Sequence, residues 1–330
     1  MKIFVTGATG FIGSRLALRL AELGHTVHAL YRDEEKLSVI THPGIVPFKG
    51  DILDEKSLEI AAKGCRQVYH TAAFASVWTP DPSKVYKLNI EGTMNVIRAG
   101  TLAGAEKFVC TSTAGVFGPS GRSAVKDENS PKPASYFIDY ESSKAILEGV
   151  LHRLADAGVP VVTVNPTRVY GPGLLSESNG VTRMVISYYR GKWRFIPGNG
   201  ESTGNYVFVE DVVNGHILAM EKGVPGQNYL LGGSNASFNE LFSLLALITG
   251  KKRTMLRIPS PLMLGLAAVM LGFAKTAGKS PMITPPLVRR FTESWNISSE
   301  KAARELGYRP IDLKSGLEIT LEWIKNDRKP

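Results

Sequence analysis

The chain opens on the segment Lys2-Ile-Phe-Val-Thr-Gly7-Ala-Thr-Gly10-Phe-Ile-Gly13. A short apolar run is followed by three glycines, each separated by two residues, and an amphipathic segment begins at Ser14. This order predicts a strand, a tight turn and a helix. Glycine permits a sharp turn and a close approach of a ligand to the backbone, and the free N–H groups at a helix N-terminus attract anions. The segment therefore predicts a phosphate-binding turn.

The spacing of these glycines is Gly-x-x-Gly-x-x-Gly, one residue different from the usual dinucleotide fingerprint Gly-x-Gly-x-x-Gly. Taken alone, the segment is compatible with a dinucleotide site and with a purely structural turn. The nucleotide interpretation is the one that we carry forward.

Length and composition are those of a globular α/β protein. The chain has 330 residues, of which 43% are hydrophobic, so one large domain with a smaller lobe is expected. Two cysteines, Cys65 and Cys110, form no disulfide framework and indicate a reducing compartment. The N-terminal apolar run is too short for a signal peptide. We therefore expect a cytoplasmic protein.

The net charge of +9 is concentrated in the second half of the chain. Residues 1–165 carry 18 Lys and Arg against 17 Asp and Glu, whereas residues 166–330 carry 21 against 13. A basic half can indicate nucleic acid or an anionic membrane surface. The cations are scattered and not interleaved with aromatic residues, so we favour a solvated basic surface and expect no nucleic-acid partner and no metal.

The second predicted strand, His25–Tyr31, ends at the position that selects the cofactor. In dinucleotide-binding folds, an acidic residue about 20 positions beyond the glycines binds the 2′-hydroxyl of NAD, whereas an Arg accommodates the 2′-phosphate of NADP. This chain has Arg32 there, with Lys36 one helical turn later. We expect NADP to be preferred over NAD; the alternative is that Arg32 only faces solvent.

Two further strands end in residues suited to a ligand site, because ligands of open parallel sheets bind at the carboxyl ends of the strands. The strand Ile45–Lys49 leads into Asp51, which is either a ligand for the adenine amino group or the N-cap of the next helix. The strand that begins at Val68 runs into Ala72 and Ala73, whose small side chains allow the backbone to lie close to the cofactor.

Other polar residues follow the same pattern. His70 lies inside the strand that begins at Val68 and is interpreted as a hydrogen-bonded core residue. The segment Ser83–Gly104 is predicted to be helical and carries Asn89. The fifth strand, Phe108–Thr113, ends in three hydroxyl residues at the same edge of the sheet.

Tyr140 and Lys144 are four residues apart on a helix predicted to run to about Ala157, so they share one face. A phenol with a pKa of about 10 is a slow acid near neutral pH. A nearby ammonium and an oxidised nicotinamide ring would lower that pKa by favouring the phenolate. A shift of ~3 units corresponds to about 4 kcal/mol of differential interaction. A Tyr/Lys pair can also be an ordinary surface pair, and its position after a strand of hydroxyl residues favours the chemical interpretation.

In this order, the motifs resemble an extended short-chain dehydrogenase/reductase of the NAD-dependent epimerase/dehydratase superfamily. The resemblance covers essentially the whole chain. It is greatest to dihydroflavonol reductase-like and 3β-hydroxysteroid dehydrogenase-like members and to hopanoid-associated epimerase-type proteins. It rests on Thr6–Gly13, the Asn89 helix, Thr111-Ser-Thr-Ala, Tyr140-x-x-x-Lys144 and Asn165-Pro-Thr-Arg-Val-Tyr-Gly-Pro172.

The resemblance implies an α/β fold of the Rossmann type, with a doubly wound parallel sheet and a smaller C-terminal substrate-binding lobe. It assigns residues 1–172 and about 205–225 to the NADP-binding domain, and about 173–204 and 226–330 to the lobe. The strand Val161–Asn165 is expected to close the central sheet. A homodimer formed through the helices of Asn89 and Tyr140 is also implied.

The resemblance further implies the roles of site residues. Tyr140 would be the acid/base, Lys144 would bind the nicotinamide ribose and lower the pKa of Tyr140, and Thr113 would hold the substrate oxygen at a position often occupied by Ser. Asn89 is the remaining predicted catalytic residue. The predicted cofactor-binding residues are Gly7, Thr9, Gly10, Phe11, Ile12, Arg32, Lys36, Asp51, Ile52, Ala72, Ala73, Tyr140, Lys144, Pro166 and Val169. The predicted substrate pocket contains Phe74, Trp78, Ala114, Tyr136 and Tyr170.

Two absences argue against a nucleotide-sugar substrate. Members that bind such sugars often carry an Arg-Asp pair, whose Arg grips a diphosphate, where this chain has Gly204 and Asn205. The Thr-Asp-Glu of sugar 4,6-dehydratases is replaced by Thr113-Ala-Gly115. The cations that could replace the lost phosphate contact are Arg183, Arg190, Lys192 and Arg194.

The run Ile258–Ala274 is uncharged and lies between Arg257 and Lys275. It is shorter than the ~20 apolar residues that a spanning helix needs. We expect a buried or pocket-capping helix, with a weak membrane contact as the alternative.

The sequence thus predicts an NADP-dependent oxidoreductase that interconverts a ketone and a secondary alcohol on a hydrophobic small molecule. The principal alternative is a sugar epimerase or dehydratase with tightly bound NAD. A non-catalytic NADP-binding regulator and a lipid-surface binding protein are less favoured, because both Tyr140 and Lys144 are present.

Overall fold

The computed structural model describes residues 1–175, 179–277, 281 and 283–326. Residues 176–178, 278–280, 282 and 327–330, which belong to the predicted lobe, lie outside the described residues.

The strands are named in chain order. They are β1 (Lys2–Thr6), β2 (Thr26–Tyr31), β3 (Ile45–Lys49), β4 (Gln67–His70), β5 (Lys107–Thr111), β6 (Val161–Pro166), β7 (Arg168–Tyr170), β8 (Phe195–Pro197), β9 (Thr203–Phe208), β10 (Asn228–Leu231), β11 (Ser234–Ser237) and β12 (Leu256–Ile258).

The α-helices are named in the same way. They are α1 (Phe11–Glu22), α2 (Glu55–Ala62), α3 (Ser83–Tyr86), α4 (Gly92–Leu102), α5 (Asp139–Asp156), α6 (Gly180–Tyr189), α7 (Val209–Lys222), α8 (Phe238–Thr249), α9 (Ser260–Ala277), α10 (Pro285–Thr292), α11 (Glu300–Leu306) and α12 (Leu313–Asn326). Short 3₁₀-helices cover Glu34–Ile40 and Ala114–Phe117, and a π-helical turn covers Lys87–Glu91.

The central sheet has seven strands in the order β10-β6-β5-β4-β1-β2-β3. Every neighbouring pair in it is parallel, as expected for strands that alternate with helices. The chain winds outward from β1 in one direction and then, from β4, in the other. Ligands of such sheets bind in the crevice where the order reverses, which here lies between the carboxyl ends of β1 and β4. The predicted doubly wound fold is confirmed.

Helices cover both faces of this sheet because each presents an apolar stripe to it. On one face α1, α7 and α11 surround a core that contains Leu16, Val207 and Leu306. On the other face α2, α4 and α5 surround a second core that contains Phe4 and Phe108. The crevice is therefore held between two rigid layers.

The position of β10 differs from the prediction. β10 pairs with the outer side of β6, so β6 does not close the sheet, and residues 228–231 belong to the main domain instead of the lobe. α11 also packs on the main domain, where Ala302 and Leu306 join the core of α1 and α7. The chain thus returns to the main sheet twice after it has entered the lobe.

The second lobe is built on a three-stranded sheet in the order β11-β9-β7 and a two-stranded sheet of β12 and β8. α6, α8 and α12 pack on the larger sheet around Tyr188, Phe242 and Leu317. Since β7 follows β6 directly, the lobe is attached at the edge where the crevice lies.

The apolar run predicted as a buried helix forms α9. One face is buried, with Met263 and Ala267 packed against Val288 of α10, whereas Leu262, Leu266 and Val269 are more than half exposed. Within the described part of the chain, no helix is both long enough and apolar enough to cross a bilayer.

Candidate active site

The glycines of the first turn are required by close backbone contacts. Gly7 has a φ of +69°, and a Cβ there would lie 2.6 Å from the backbone nitrogen of Ala72. A Cβ on Gly13 would lie 2.1 Å from the carbonyl oxygen of Gly7. The turn is therefore pressed against the end of β4 and the start of α1, and no other residue type fits at these two positions.

The N-terminus of α1 faces this turn. Gly10 is its N-cap and contributes no capping side chain, so the first N–H groups of the helix can serve an anion. Thr9 and Ile12 lie beside the turn and are partly exposed, whereas the side chain of Phe11 is buried. A phosphate at this site would be bound by backbone groups.

The carboxyl end of β2 carries Arg32, which pairs with Asp51 at 3.5 Å across the edge of the sheet. Arg32 is 70% exposed. Lys36 lies in the 3₁₀-helix that follows and pairs with Asp33. Both cations are thus at the rim of the crevice, where a group attached to a bound ribose can reach them.

Asp51 is not the cap of the next helix, because the N-cap of α2 is Asp54. Asp51 instead accepts a hydrogen bond from the N–H of Leu53 and carries the ion pair with Arg32. The side chain of Ile52 is buried against Gly92. The capping alternative for Asp51 is therefore wrong.

His70 is a core residue. Its two ring nitrogens contact the hydroxyls of Thr6 and Thr93 at 2.7 and 2.8 Å, and burial lowers its pKa to about 3. It is therefore neutral, and it joins β1, β4 and α4 beneath the crevice. Ala72 and Ala73 follow β4 at the edge of the sheet, next to Gly7.

Asn89 lies in the π-helical turn between α3 and α4, so the predicted continuous helix contains an extra residue at this point. The Oδ1 of Asn89 accepts from the N–H of Phe74 at 2.8 Å, and its Nδ2 donates to the hydroxyl of Ser143 at 2.9 Å. π-turns occur frequently at functional sites. Here the turn places a buried amide between the segment after β4 and the helix that carries Tyr140.

Lys144 is fully buried, and its ammonium donates to the carbonyl oxygen of Thr111 at 2.8 Å. Burial lowers its pKa to about 8, while nearby Cys110 and Glu148 oppose that shift. Its Nζ is thereby fixed at the carboxyl end of β5, one helical turn from Tyr140. A buried ammonium on this edge suits a hydroxyl-rich ligand such as a ribose.

The pKa of Tyr140 differs from the expectation. Burial and then the charge of Glu141 raise it, and Arg290 lowers it. Protein groups therefore hold Tyr140 as a neutral phenol, which is the form that donates a proton. The expected lowering by Lys144 is not found.

Thr113 lies at the start of the 3₁₀-helix after β5, where its Oγ1 accepts from the N–H of Gly115 at 3.1 Å. Because the hydroxyl oxygen already accepts this bond, its own proton is directed toward another acceptor. The Nδ2 of Asn165 donates to the carbonyl oxygen of Thr113, which fixes the end of β5 relative to β6.

Glu148 was not predicted and lies at the centre of a buried network. Its Oε1 accepts from the hydroxyl of Ser112 and from the Nδ2 of Asn165, both at 2.6 Å. Its Oε2 pairs with Lys132 at 2.8 Å. Glu148 is four residues after Lys144, so its position on the same helix face was visible in the sequence.

The wall expected from residues 165–172 is present. Pro166 and Val169 have buried side chains, so contacts from them to a cofactor would be made by the backbone. The loop after β7 is held by Arg15, which donates to the carbonyl oxygen of Pro172 and pairs with Glu210.

The predicted substrate pocket is only partly brought together. Phe74, Trp78 and Tyr136 are partly exposed near the crevice, with the hydroxyl of Tyr136 bonded to the carbonyl oxygen of Val116. Ala114 is buried against Val116 and Phe117. Tyr170 is a core residue of the lobe, whose hydroxyl donates to Leu313 and touches Gly316; its assignment to the pocket is wrong because packing fills the space around it.

Comparisons with known proteins identify the class. Residues 3–232 match the NAD dependent epimerase/dehydratase family, and this chain belongs to that family. It is an NAD(P)-dependent short-chain dehydrogenase/reductase.

Three relatives illustrate the range of the family. "Sterol demethylase protein B" of Methylococcus capsulatus is 29% identical and covers 98% of each chain. A protein of Synechocystis with the provisional name dihydroflavonol 4-reductase is 30% identical over 98% of this chain and 94% of its own. A crystal structure of UDP-glucose 4-epimerase with UDP-glucose, from Thermotoga maritima, superimposes with a TM-score of 0.81 at 26% identity over all of both chains.

Proposed function

We propose that this protein reduces a ketone on a hydrophobic small molecule to a secondary alcohol, or oxidises the alcohol, with NADP(H). The observation that carries this proposal is that Lys144 and Thr113 lie at the carboxyl end of β5, with Tyr140 one helical turn before Lys144 on α5. Lys144 is fixed there by its bond to Thr111, and Thr113 is held by its bond to Gly115. The hydroxyl groups of Tyr140 and Thr113 each carry a proton that can be donated to a carbonyl oxygen.

The residues of the crevice fit a dinucleotide. The glycines let the turn pack directly against the end of β4 and the start of α1, and the start of α1 provides N–H groups for the pyrophosphate. Arg32 and Lys36 are the candidates for a 2′-phosphate, and Lys144 is the candidate for the nicotinamide ribose. When bound, the nicotinamide supplies or accepts the hydride.

The protein residues then handle the substrate oxygen. Thr113 orients it by a hydrogen bond, and Tyr140, which its surroundings keep protonated, gives it a proton during reduction. Asn89 and Glu148 act as positioning residues, because they hold the backbone after β4 and the edge between β5 and β6. In both directions Tyr140 passes between the phenol and the phenolate, and burial and Glu141 favour the phenol.

The relatives named for sterols and dihydroflavonols support a hydrophobic substrate with a carbonyl or hydroxyl group. The likeness to UDP-glucose 4-epimerase supports the second candidate, a sugar epimerase with tightly held NAD. Gly204 in place of the diphosphate-binding Arg weighs against that candidate.

The test measures reduction of a panel of cyclic and medium-chain ketones by the wild type and by Tyr140→Phe. Turnover is monitored as the loss of NADPH absorbance. We expect turnover to fall by about 10²- to 10⁴-fold, as for removal of a general acid, while NADPH binding measured by fluorescence is kept. Tyr188→Phe is the matched control, since its hydroxyl bonds to Lys251 in the lobe. Near-normal turnover in Tyr140→Phe would overturn the mechanism, and NAD that stays bound through purification would favour the epimerase.

A further inference from the structure

A partly buried group of charges lies next to the candidate catalytic residues and has no role in the proposed hydride transfer. It consists of Glu141, Arg168 and Arg290, which come from α5, β7 and α10. We propose that Arg168 binds a carboxylate group of the substrate and thereby makes this protein selective for hydroxy or keto acids. This inference rests on the proposed function, because it names the class of substrate for the same site.

The group lies close to Tyr140. Glu141 is the next residue on α5, it is buried, and its Oε1 accepts from the Nε of Arg290 at 2.7 Å. Arg290 and Glu141 both act on the pKa of Tyr140 and also on the pKa of Arg168. The three charges and the phenol therefore share one electrostatic environment.

Arg168 has an unused donor. Its Nη1 lies 3.5 Å from the hydroxyl of Tyr206, and its guanidinium stacks over the ring of Tyr206 at 5.7 Å. Its Nη2 is buried and has no hydrogen-bond partner within the described ranges, and the same holds for the Oε2 of Glu141. A buried donor without a partner is costly, and an Arg side chain stays protonated in a protein. A ligand that accepts from Nη2 would remove this cost.

Gly204 explains why Arg168 can occupy this place. A Cβ on Gly204 would lie 2.4 Å from the Nη1 of Arg168, so the guanidinium fills the space that any side chain on β9 would need. Members that bind nucleotide sugars often carry the diphosphate-binding Arg at the position of Gly204. In this chain a cation occupies the space next to position 204, but it comes from β7.

The net charge of this group indicates which class of ligand it would bind. Arg290 is neutralised by Glu141, whereas Arg168 lacks a carboxylate within ion-pair distance in the part of the chain that the structure describes. One uncompensated positive charge matches a monoanion. A guanidinium binds a carboxylate with paired hydrogen bonds, and a diphosphate would bring more negative charge than this site balances.

The experiment measures binding without turnover. The NADP-loaded protein is titrated with decanoate and with 1-decanol, which differ in charge and share an alkyl chain. We expect decanoate to bind at least about 10-fold more tightly, as for hydrogen bonds to a charged group. In Arg168→Gln this difference should disappear, with the affinity for NADP unchanged.

Arg253→Gln is the matched control. Arg253 also stacks over a tyrosine of the lobe, Tyr188, and donates to a backbone carbonyl, but it is not part of the charge group. It should keep the preference for decanoate. Equal binding of acid and alcohol by the wild type, or an unchanged preference in Arg168→Gln, would overturn the inference.

A second measurement separates this inference from the proposed function. Oxidation of 3-hydroxydecanoate and of its methyl ester is followed with NADP⁺. Turnover of the ester alone would contradict the carboxylate site and leave the oxidoreductase standing. Decanoate binding that depends on Arg168, with no turnover of either compound or of the ketone panel, would keep the site and contradict the proposed function.

The exposed face of α9 carries a second, independent inference. Leu262, Leu266 and Val269 follow the spacing of one helical stripe and are 56%, 51% and 58% exposed. Leu256 of β12, just before α9, is also largely exposed. Contiguous apolar surface of this kind usually marks an interaction site.

The charge around this stripe indicates its partner. Residues 241–292 contain eight Lys and Arg, of which Arg290 is paired with Glu141, and no Asp or Glu. Arg257 lies three residues before the start of α9, and the N–H of Leu256 donates to the carbonyl oxygen of Arg194, just before β8. An apolar helix face with cations around it is suited to the interface of an anionic bilayer. We infer that α9 docks this protein on an anionic lipid surface.

Co-sedimentation with vesicles tests this inference. We expect binding to vesicles of phosphatidylglycerol and phosphatidylcholine that weakens with salt, because the contribution of each cation is screened, and little binding to phosphatidylcholine alone. Leu266→Asp should reduce binding by at least about 5-fold, on the scale of losing buried apolar contact plus charge repulsion. Ile60→Asp, on the exposed face of α2, is the control and should bind normally.

Absence of vesicle binding, or equal binding by Leu266→Asp and Ile60→Asp, would overturn the membrane inference. A dimer in analytical ultracentrifugation that Leu266→Asp dissociates would also overturn it, since the stripe would then be covered by a second copy of the chain.

Discussion

The two halves of the crevice are built in different ways. The cofactor side consists of backbone: three glycines, the start of α1 and the ends of parallel strands, all packed so closely that a single methyl group cannot be added at Gly7 or Gly13. The proposed substrate side consists of side chains that come from α5, β7 and α10, such as Glu141, Arg168 and Arg290. One side recognises a constant ligand by shape, whereas the other can change its ligand by changing a few residues.

From this comparison we expect the largest effect from a substitution at Gly13. Gly13→Ala places a methyl group 2.1 Å from the carbonyl oxygen of Gly7, so the turn and α1 must separate. We expect a loss of about 3 kcal/mol of unfolding free energy and of NADPH binding, measured by chemical denaturation and fluorescence titration. A stable variant that still binds NADPH would show that the turn is softer than its contacts indicate.

Glu148→Ala tests the polar layer beneath the site. It leaves the buried groups of Ser112 and Asn165 without their acceptor, at about 1–3 kcal/mol for such a group. We expect a loss of about 2 kcal/mol and a fall in kcat at nearly constant affinity for NADPH. Glu300→Ala, at the exposed start of α11, is the control and should change neither the unfolding free energy nor kcat. If Glu148→Ala also leaves both unchanged, the network does not position the site.

Arg32→Ala tests the rim, where recognition again depends on a side chain. Arg32 is largely exposed, and among the described residues its ion-pair partner is Asp51, so its removal should not affect folding. We expect NADPH affinity to fall about 10-fold, which corresponds to about 1.4 kcal/mol, and NADH affinity to stay the same. Preference for NADH in the wild type would contradict the assignment of NADP.

The smallest effect is expected at Gly265 in α9, and it has the opposite sign. A Cβ there meets no atom within 4 Å, and Ala is favoured over Gly inside a helix by about 0.5–1 kcal/mol. Gly265→Ala should therefore raise the thermal midpoint slightly without changing turnover. A lower thermal midpoint would mean that the surroundings of Gly265 are more closely packed than the space at its Cβ position indicates.

Prediction from sequence was accurate where local patterns determine structure. β3 begins and ends at the predicted residues, and β2 differs by one residue, because strands of a buried parallel sheet are short apolar runs between turns. The glycine turn was predicted correctly because a position that excludes a Cβ must be glycine, and glycine is visible in the sequence. The π-turn at Asn89 was missed, since one extra residue in a helix leaves no pattern in composition.

Features that leave no pattern in the sequence also explain the wrong predictions on the proposed substrate side. Tyr170 was assigned to the pocket from its place after a motif, but packing against Leu313 and Gly316 buries it in the lobe. β10 was assigned to the lobe because nothing in its sequence says which edge it joins. The expected lowering of the pKa of Tyr140 considered Lys144 and the nicotinamide ring, whereas burial, Glu141 and Arg290 also act on this phenol.

The amino-acid sequence alone determined the family, the winding of the sheet, the phosphate turn and the Tyr140/Lys144 pair. Each depends on residues that are close in the chain and whose chemistry allows few substitutes. The tertiary structure decided which charges surround the site: Arg168 meets Gly204, and Glu141 meets Arg290 at a separation of 149 residues. Contacts between distant segments follow from packing of the whole chain, and burial then sets how strongly these charges act.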